Sequence, residues 1–108
     1  MKKYDVIFDQ DAEDDLFDIY AFVAMNDSVE SADRLFAALR RTCLKLRKLP
    51  LRGKIPTELF EIGVTGFREL HYKLYRIIYS LESTTVCVHC VLDGRRDIQT
   101  ILQEWVLR

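Results

Sequence analysis

The chain has 108 residues, of which 49% are hydrophobic and 31% are charged, and its formal net charge is −1 at pH 7. This length supports one domain with its own core, and the composition excludes a disordered or fibrous chain. A pI near 6.1 is low for a protein that holds nucleic acid through phosphate contacts. We therefore predict a single globular domain over residues 1–108.

Alternating apolar residues near the start predict a short strand that ends before Asp9. Apolar residues at helical spacing then predict a helix over about residues 10–25, with acids crowded into its first turns. Asp27, followed three residues later by Glu30, favours the start of a second helix over about 28–49. So few residues join the two helices that we expect them to pack as an antiparallel hairpin.

The second half predicts a loop, three strands and a final helix. Residues 49–56 mix Pro, Gly and bases, which is typical of a loop. Asp97 favours the cap of a short C-terminal helix. The resulting order β-α-α-β-β-β-α is an α+β domain, with a mainly antiparallel four-stranded sheet packed by an α-helical hairpin. The three strands, rich in β-branched and aromatic residues, are predicted at roughly 67–72, 74–81 and 85–92.

The beginning of the chain contains acids before any apolar run long enough for a signal peptide or a membrane span. We expect a cytoplasmic protein that does not associate with membranes. Its cysteines are odd in number, which argues against a disulfide framework. Cys87 and Cys90 lie three apart on a predicted strand, where alternation places them on opposite faces, so we expect packing cysteines. No metal or cofactor site is predicted.

Charge is unevenly distributed along the chain. Residues 1–33 hold ten of the seventeen acids, whereas residues 34–54 hold eight of the sixteen bases and no acid. The basic helix therefore presents its cations either to solvent or to an acidic partner. These cations are Arg40, Arg41, Lys45, Arg47 and Lys48. Trp105 is the single tryptophan and lies on the apolar side of the predicted last helix. It either anchors the core or packs on a partner.

Three arginine-bearing signals follow one another in the last third: FREL at 67–70, YRIIY at 75–79 and DGRRD at 93–97. A small sheet is expected to bring their guanidinium groups toward one region, which suits anions or carboxylates. Pairing with nearby acids, such as Glu69 on the neighbouring strand, is the alternative. The arginines concerned are Arg68, Arg76, Arg95 and Arg96.

The order of these signals behind two helices resembles the toxins of the RelE/ParE superfamily, the toxic halves of bacterial type II toxin–antitoxin pairs that include plasmid stabilisation systems. The resemblance covers nearly the whole chain. It implies a cognate, ParD-like antitoxin whose disordered C-terminal segment covers the toxin. The antitoxin contacts implied are Arg40, Arg41, Lys45 and Trp105.

The ribonuclease branch of this superfamily offers one set of roles for the arginines. Similarity to it implies that Arg76 holds the scissile phosphate and that Arg95 and Arg96 stabilise the transition state. His71, on a predicted strand between Arg68 and Arg76, is the best candidate for acid–base work. Together these four residues are the candidate catalytic set if the chain is an enzyme.

Other positions depart from the ribonuclease pattern. Members like RelE carry lysines on the strand before the YR pair and a tyrosine in the final helix, and the matching positions here hold Phe67, Glu69 and Leu102. Other ribonuclease members use Glu and His instead, and Glu58, His71 or His89 could be recruited here, although none lies at the position of the motif. The missing groups place the resemblance nearer the ParE-like branch.

The leading interpretation is therefore a toxin that inhibits DNA gyrase by binding, causing growth arrest, rather than an enzyme. The first alternative is a ribosome-dependent mRNA endonuclease. A non-toxic member that acts as a binding partner or co-repressor is the second. All three require a tight protein partner, and whether the free chain forms a homodimer is left open.

Overall fold

The computed structural model describes residues 3–94. The predicted C-terminal helix, with Asp97 and Trp105, lies outside these residues. The α+β class and the order of the remaining elements are confirmed, with a short additional helix before the second strand. The elements are β1 (Asp5–Phe8), α1 (Gln10–Asn26), α2 (Val29–Leu44), α3 (Thr57–Phe60), β2 (Arg68–Tyr72), β3 (Tyr75–Glu82) and β4 (Thr85–Asp93).

The four strands form one sheet in the order β1-β4-β3-β2. β2 pairs antiparallel with β3, and β3 antiparallel with β4, whereas β1 lies parallel to β4. A parallel pair needs a long crossover connection, and the helical hairpin of α1 and α2 begins that crossover. Within residues 3–94, no helix is both long and apolar enough to cross a membrane.

Side chains from β3 are buried on both faces of the sheet. Ile77 packs with α1 and α2 in the main core, while Ile78 belongs to a second cluster with Leu59 of α3. Both isoleucines are fully buried. Because β3 is covered on both sides, its sequence is a nearly continuous apolar run interrupted by few polar residues. We call the side that carries Ile78 the second face of the sheet.

The second helix differs from its predicted bounds. Its N-cap is Ser28, whose Oγ accepts a hydrogen bond from the Ser31 backbone N–H at 3.0 Å, so Asp27 is not the cap. The α-helix ends at Leu44 and continues as a 3-10 turn over Lys45–Arg47. Leu46 in that turn is fully buried. The apolar pattern therefore predicted burial correctly, but not where the helical backbone tightens.

A β-bulge interrupts the pairing of β3 with β4. Tyr79 pairs with Val88, and Ile78 pairs with Cys90, so His89 is an extra residue in β4. A bulge changes the direction of the following side chains and increases the local twist. Its effect here is to add one residue to β4 at the point where the sheet meets the start of α1.

The bulge corrects the prediction for the two cysteines of β4. Cys87 pairs with Ser80, and Cys90 pairs with Ile78, and those two residues of β3 share a face. The cysteines therefore lie on the same face of the sheet. Burial raises the pKa of the Cys87 thiol, and no group of side chains within residues 3–94 could hold a metal ion.

The loop before α3 is fixed to the sheet by Tyr79, whose side chain is fully buried. Its hydroxyl donates to the Pro50 carbonyl at 2.8 Å and accepts from the Gly53 N–H at 3.0 Å. A Cβ atom on Gly53 would lie 2.6 Å from the Glu69 carbonyl oxygen and 2.7 Å from the Tyr79 hydroxyl. Only glycine therefore allows the loop to approach β2 and β3 this closely.

We expect Tyr79→Phe to lower the free energy of unfolding by about 1–3 kcal/mol, because two buried backbone groups lose their partner. Urea denaturation measures this loss. Tyr20→Phe is the matched control, since its hydroxyl donates to Asp33 at an exposed position; we expect its effect to stay within about 0.5 kcal/mol. Equal losses for the two variants would contradict the role given to Tyr79.

Candidate functional site

A charged cluster occupies the second face of the sheet. Arg76 of β3 lies directly opposite His71 of β2, and Glu69 is two residues before His71 on the same face. Glu58 approaches from α3, which packs on that face through Leu59. Strand alternation thus places three of these side chains together, and the short helix adds the fourth.

The Arg76 guanidinium is bound by two carboxylates. Its Nη1 and Nη2 donate to the two oxygens of Glu58 at 2.6 and 2.8 Å. Its Nε and Nη2 donate to the two oxygens of Glu69 at 3.2 and 2.5 Å. Four of the five guanidinium N–H groups are therefore used, and both carboxylates are held in the two-pronged geometry that arginine favours.

Burial makes these contacts necessary. The exposed fraction of the side chain is 2% for Glu69, 14% for Arg76 and 24% for Glu58. A buried carboxylate without a cationic partner would be strongly destabilising. Hydrogen bonds from Arg76 lower the pKa of Glu58, and the same contacts raise the pKa of Arg76. One positive and two negative charges give the three residues a net charge of −1.

His71 completes the cluster at its outer side. Its Nε2 contacts Glu69 Oε1, and about half of its side chain is exposed. A histidine oriented by a buried carboxylate is a common arrangement for proton transfer. The cluster therefore brings together His71 and Arg76, two of the residues proposed for catalysis, with two acids.

The predicted gathering of arginines is wrong for Arg68. It pairs with Tyr79 and so lies on the helix side of the sheet, opposite Arg76. Its Nη1 donates to the Gly53 carbonyl at 2.8 Å and to the Leu51 carbonyl at 3.4 Å, so its contacts are with the loop backbone. Arg95 and Arg96 lie outside the described residues.

A second polar cluster links the bulge to the start of α1. His89 bonds Ser80 Oγ through Nε2 at 2.7 Å and Asp9 Oδ2 through Nδ1 at 2.5 Å. The order of atoms is that of a Ser-His-Asp triad, but Ser80 lies in the middle of a strand and is only 7% exposed. A nucleophile needs access to substrate, so we assign these contacts to holding β3 and β4 to the start of α1.

The residues predicted to contact an antitoxin fall into three groups. Arg40 stacks its guanidinium over the Phe8 ring, with its Cζ 5.0 Å from the ring centroid, so it packs on the protein itself. Arg41 and Lys45 line an open groove at the end of α2. Trp105 lies outside the described residues.

The sequence pattern did not predict that Glu58 pairs with Arg76. The short helix that carries Glu58 spans four residues, which is too short for a periodic apolar signal. A local signal was present, because Pro56 precedes the helix and Glu58 is an acid in its first turn. The pairing of Arg76 with Glu69 was among the alternatives and is observed.

We expect Glu58→Gln to lower the free energy of unfolding at pH 7 by about 1–2 kcal/mol, because a charged hydrogen-bond pair is lost. The pKa of Glu58 is depressed in the folded state, so its stabilising effect is present above its ordinary value of 4.5 and is lost as pH falls through the folded pKa. The difference between variant and wild type therefore shrinks below pH 4.5. Urea denaturation across this range measures it.

Glu61→Gln is the control for that experiment, since Glu61 is an exposed acid just after the same helix. We expect a change within about 0.5 kcal/mol for an exposed position of this kind. A Glu58→Gln effect that persists unchanged in acid would show that the loss does not come from the charge of Glu58.

Comparison with known proteins places these features in a family. The model of the ParE toxin of the type II toxin-antitoxin system parDE matches residues 6–98. A chain from the chromosomal ParDE toxin-antitoxin system of P. aeruginosa has a TM-score of 0.71 at 15% identity, covering 84% of this chain and 96% of that one, which is a similarity of fold.

A chain from the toxin-antitoxin complex RelBE2 of Mycobacterium tuberculosis has a TM-score of 0.64 at 25% identity, covering 86% of this chain and 93% of that chain. Comparison with curated protein sequences gives no match. The family model spans most of the chain, and both structural relatives come from toxin-antitoxin systems. The chain therefore belongs to the ParE toxin family of type II toxin-antitoxin systems.

Proposed function

We propose that this toxin acts by binding, inhibits DNA gyrase so that cleaved DNA accumulates, and is neutralised by a cognate antitoxin. The observation that supports binding over RNA cleavage is that Arg76 is already paired with two carboxylates. Its guanidinium is held by Glu58 and Glu69 together. The arginine that resembles a phosphate-holding residue is thus already engaged by two carboxylates.

The charge of the cluster works against phosphate. A phosphate approaching Arg76 meets two carboxylates and one guanidinium, which repel it overall. Displacing Glu69 would leave a carboxylate that is 2% exposed without its arginine, at a cost of about 3–5 kcal/mol. Displacing the more exposed Glu58 costs less but still leaves the site neutral.

The helical side of the protein offers surface for a protein target. Phe17, Phe22 and Met25 of α1 are 69%, 62% and 85% exposed. Exposed apolar residues of this size are typical of protein contact surfaces. They are interleaved with Asp14 and Asp18 on the outer side of α1, which keeps that surface compatible with water.

A supercoiling assay with purified gyrase tests the proposal. We expect the full chain to inhibit supercoiling and to raise the amount of linear DNA released after denaturation of the enzyme. Relaxation by topoisomerase I is the control and is expected to be unaffected. Folded toxin that neither inhibits supercoiling nor traps cleaved DNA would remove gyrase as the target.

One observation favours a second candidate function, a ribosome-dependent mRNA endonuclease. His71 is half exposed, is oriented by Glu69 and lies across from Arg76, so proton transfer and charge stabilisation are available in one place. If this candidate is right, primer extension on mRNA from induced cells detects cleavage within ribosomal A-site codons.

For that candidate, His71→Gln is expected to reduce cleavage by about 100-fold or more, the usual contribution of a general acid or base. Glu61→Gln provides the matched control and keeps full cleavage. Under the gyrase proposal, the wild-type toxin produces no such cleavage. The two assays therefore separate the candidates, whichever one is correct.

A further inference from the structure

A turn that carries cations and exposed leucines lies between the 3-10 turn and α3. The Arg52 backbone N–H donates to the Leu49 carbonyl at 3.2 Å, which closes a β-turn with Pro50 at its second position. Pro50 is buried, whereas Leu49 and Leu51 are each 58% exposed. We call residues 48–52 the proline turn. Its proline faces the protein, while its two leucines face solvent.

Side chains of β2 and β3 hold the proline turn in place. Arg68 Nη1 donates to the carbonyls of Leu51 at 3.4 Å and Gly53 at 2.8 Å. The Tyr79 hydroxyl donates to the Pro50 carbonyl at 2.8 Å. Both bonds of Arg68 use Nη1, so Nη2 and Nε are not needed to hold the turn. A turn that is already fixed loses little conformational entropy when a ligand binds to it.

Arg52 and Arg68 lie close to one another. Burial raises the pKa of Tyr79, and the positive charges of Arg68 and Arg52 oppose that rise. Both guanidinium groups are therefore near the same hydroxyl. The carbonyls that accept from Arg68 carry no net charge, so this arginine keeps its full positive charge. Within residues 3–94, no ion pair to either arginine is found.

Other cations adjoin the proline turn. Arg47 and Lys48 are exposed, and in the described part of the chain neither forms an ion pair. Residues 34–57 contain no acid. Lys54 belongs elsewhere, because its backbone pairs with that of Glu69 on the second face. The turn therefore combines exposed apolar side chains with a local excess of positive charge, which attracts an anionic partner.

We propose that the proline turn binds the sugar–phosphate backbone of duplex DNA. Arg52 and Arg68 contact phosphate oxygens through their planar forks, and Lys48 contributes a point charge. Leu49 and Leu51 lie against the sugars, since leucine is among the apolar side chains that proteins place in the minor groove. The choice of DNA rests on the proposed function, because a toxin that stabilises the cleaved state of gyrase acts where duplex DNA is bound.

The net charge of the chain does not prevent this contact. That charge is −1, but ten of the seventeen acids lie in residues 1–33. Exposed charges farther apart than about 8–10 Å are largely screened at ionic strengths of 0.1–0.15 M. A phosphate at the proline turn therefore interacts mainly with the cations beside it. So few contacts give weak binding without sequence preference, with a Kd on the order of 10⁻⁵ M.

The first test uses the full chain and a fluorescein-labelled duplex of about 20 base pairs, with no gyrase present. Fluorescence anisotropy is expected to detect binding whose association constant falls as salt is added. In a plot of log K against log salt, we expect a slope of about −2 to −4, since each phosphate contact contributes about −0.9. Binding that does not depend on salt would overturn the proposal.

The double variant Lys48→Gln with Arg52→Gln removes two exposed cations of the turn. We expect it to weaken duplex binding by about tenfold or more and to make the salt slope less steep by about 2. Arg34→Gln with Lys54→Gln removes the same charge at exposed positions outside the turn, and its affinity is expected to stay within about twofold. Urea denaturation checks that both double variants stay folded. Equal duplex binding by the two would contradict the proposal.

The leucines are tested separately from the charges. Leu49→Ser with Leu51→Ser is expected to weaken duplex binding by about threefold or more while the salt slope stays the same, because no phosphate contact is lost. An unchanged affinity would show that the leucines do not contact the DNA. Wild-type binding to phosphatidylglycerol vesicles, with none to the duplex, would assign the turn to a membrane surface and overturn the proposal.

The supercoiling assay distinguishes this proposal from the proposed function. A wild type that does not inhibit gyrase, but whose duplex binding is lost only in the Lys48 and Arg52 double variant, would refute the proposed function and support the DNA contact. A wild type that inhibits gyrase, with equal duplex binding by both double variants, would refute the DNA contact alone.

Discussion

The buried carboxylate of Glu69 is the constraint on which the second face of the sheet depends. A carboxylate that is 2% exposed needs a cation and hydrogen bonds to offset the loss of water. Arg76 supplies both from the neighbouring strand, and its position is possible only in the observed register of β2 with β3. A shift by one residue would turn Arg76 toward the aliphatic core and leave Glu69 unpaired.

The same requirement explains why α3 lies where it does. Leu59 closes the apolar part of the second face, and Glu58, its neighbour in sequence, reaches the remaining side of the guanidinium. Among residues 3–94, every buried side-chain nitrogen and oxygen has a hydrogen-bond partner. A satisfied network of this kind is rigid, which suits a scaffold for binding and also holds His71 in one orientation.

Much of the fold followed from short-range patterns. Apolar periodicity located α1, α2 and the strands to within a few residues, because each of these elements buries one side. The bulge at His89 and the parallel pairing of β1 arise from contacts between distant segments, and no local pattern encodes them. The helix at 57–60 has only the local signal of Pro56 and Glu58. The sequence therefore predicted the elements better than their relative arrangement.

The candidate site was predictable in part for the same reason. The position of Arg76 on the side opposite the main core follows from alternation, and Glu69 was a foreseeable partner two positions from His71. The separation of Arg68 from Arg76 also follows once the register is known, since Arg68 pairs with Tyr79. Without the register, the sequence did not show that Arg68 and Arg76 lie on opposite faces of the sheet. The expectation that these two arginines meet was therefore wrong.

Two surfaces of opposite character thus lie on opposite sides of one small sheet. The cluster around Arg76 carries more negative than positive charge and is satisfied internally. The surface at the end of α2 instead carries exposed cations around Leu44, namely Arg41, Lys45, Arg47 and Lys48. Arg76 is already paired with two acids, whereas no ion pair to the cations beside Leu44 is found within residues 3–94. A cluster of exposed positive charge therefore lies beside α2, although the arginine motif of β3 is the more conspicuous feature of the sequence.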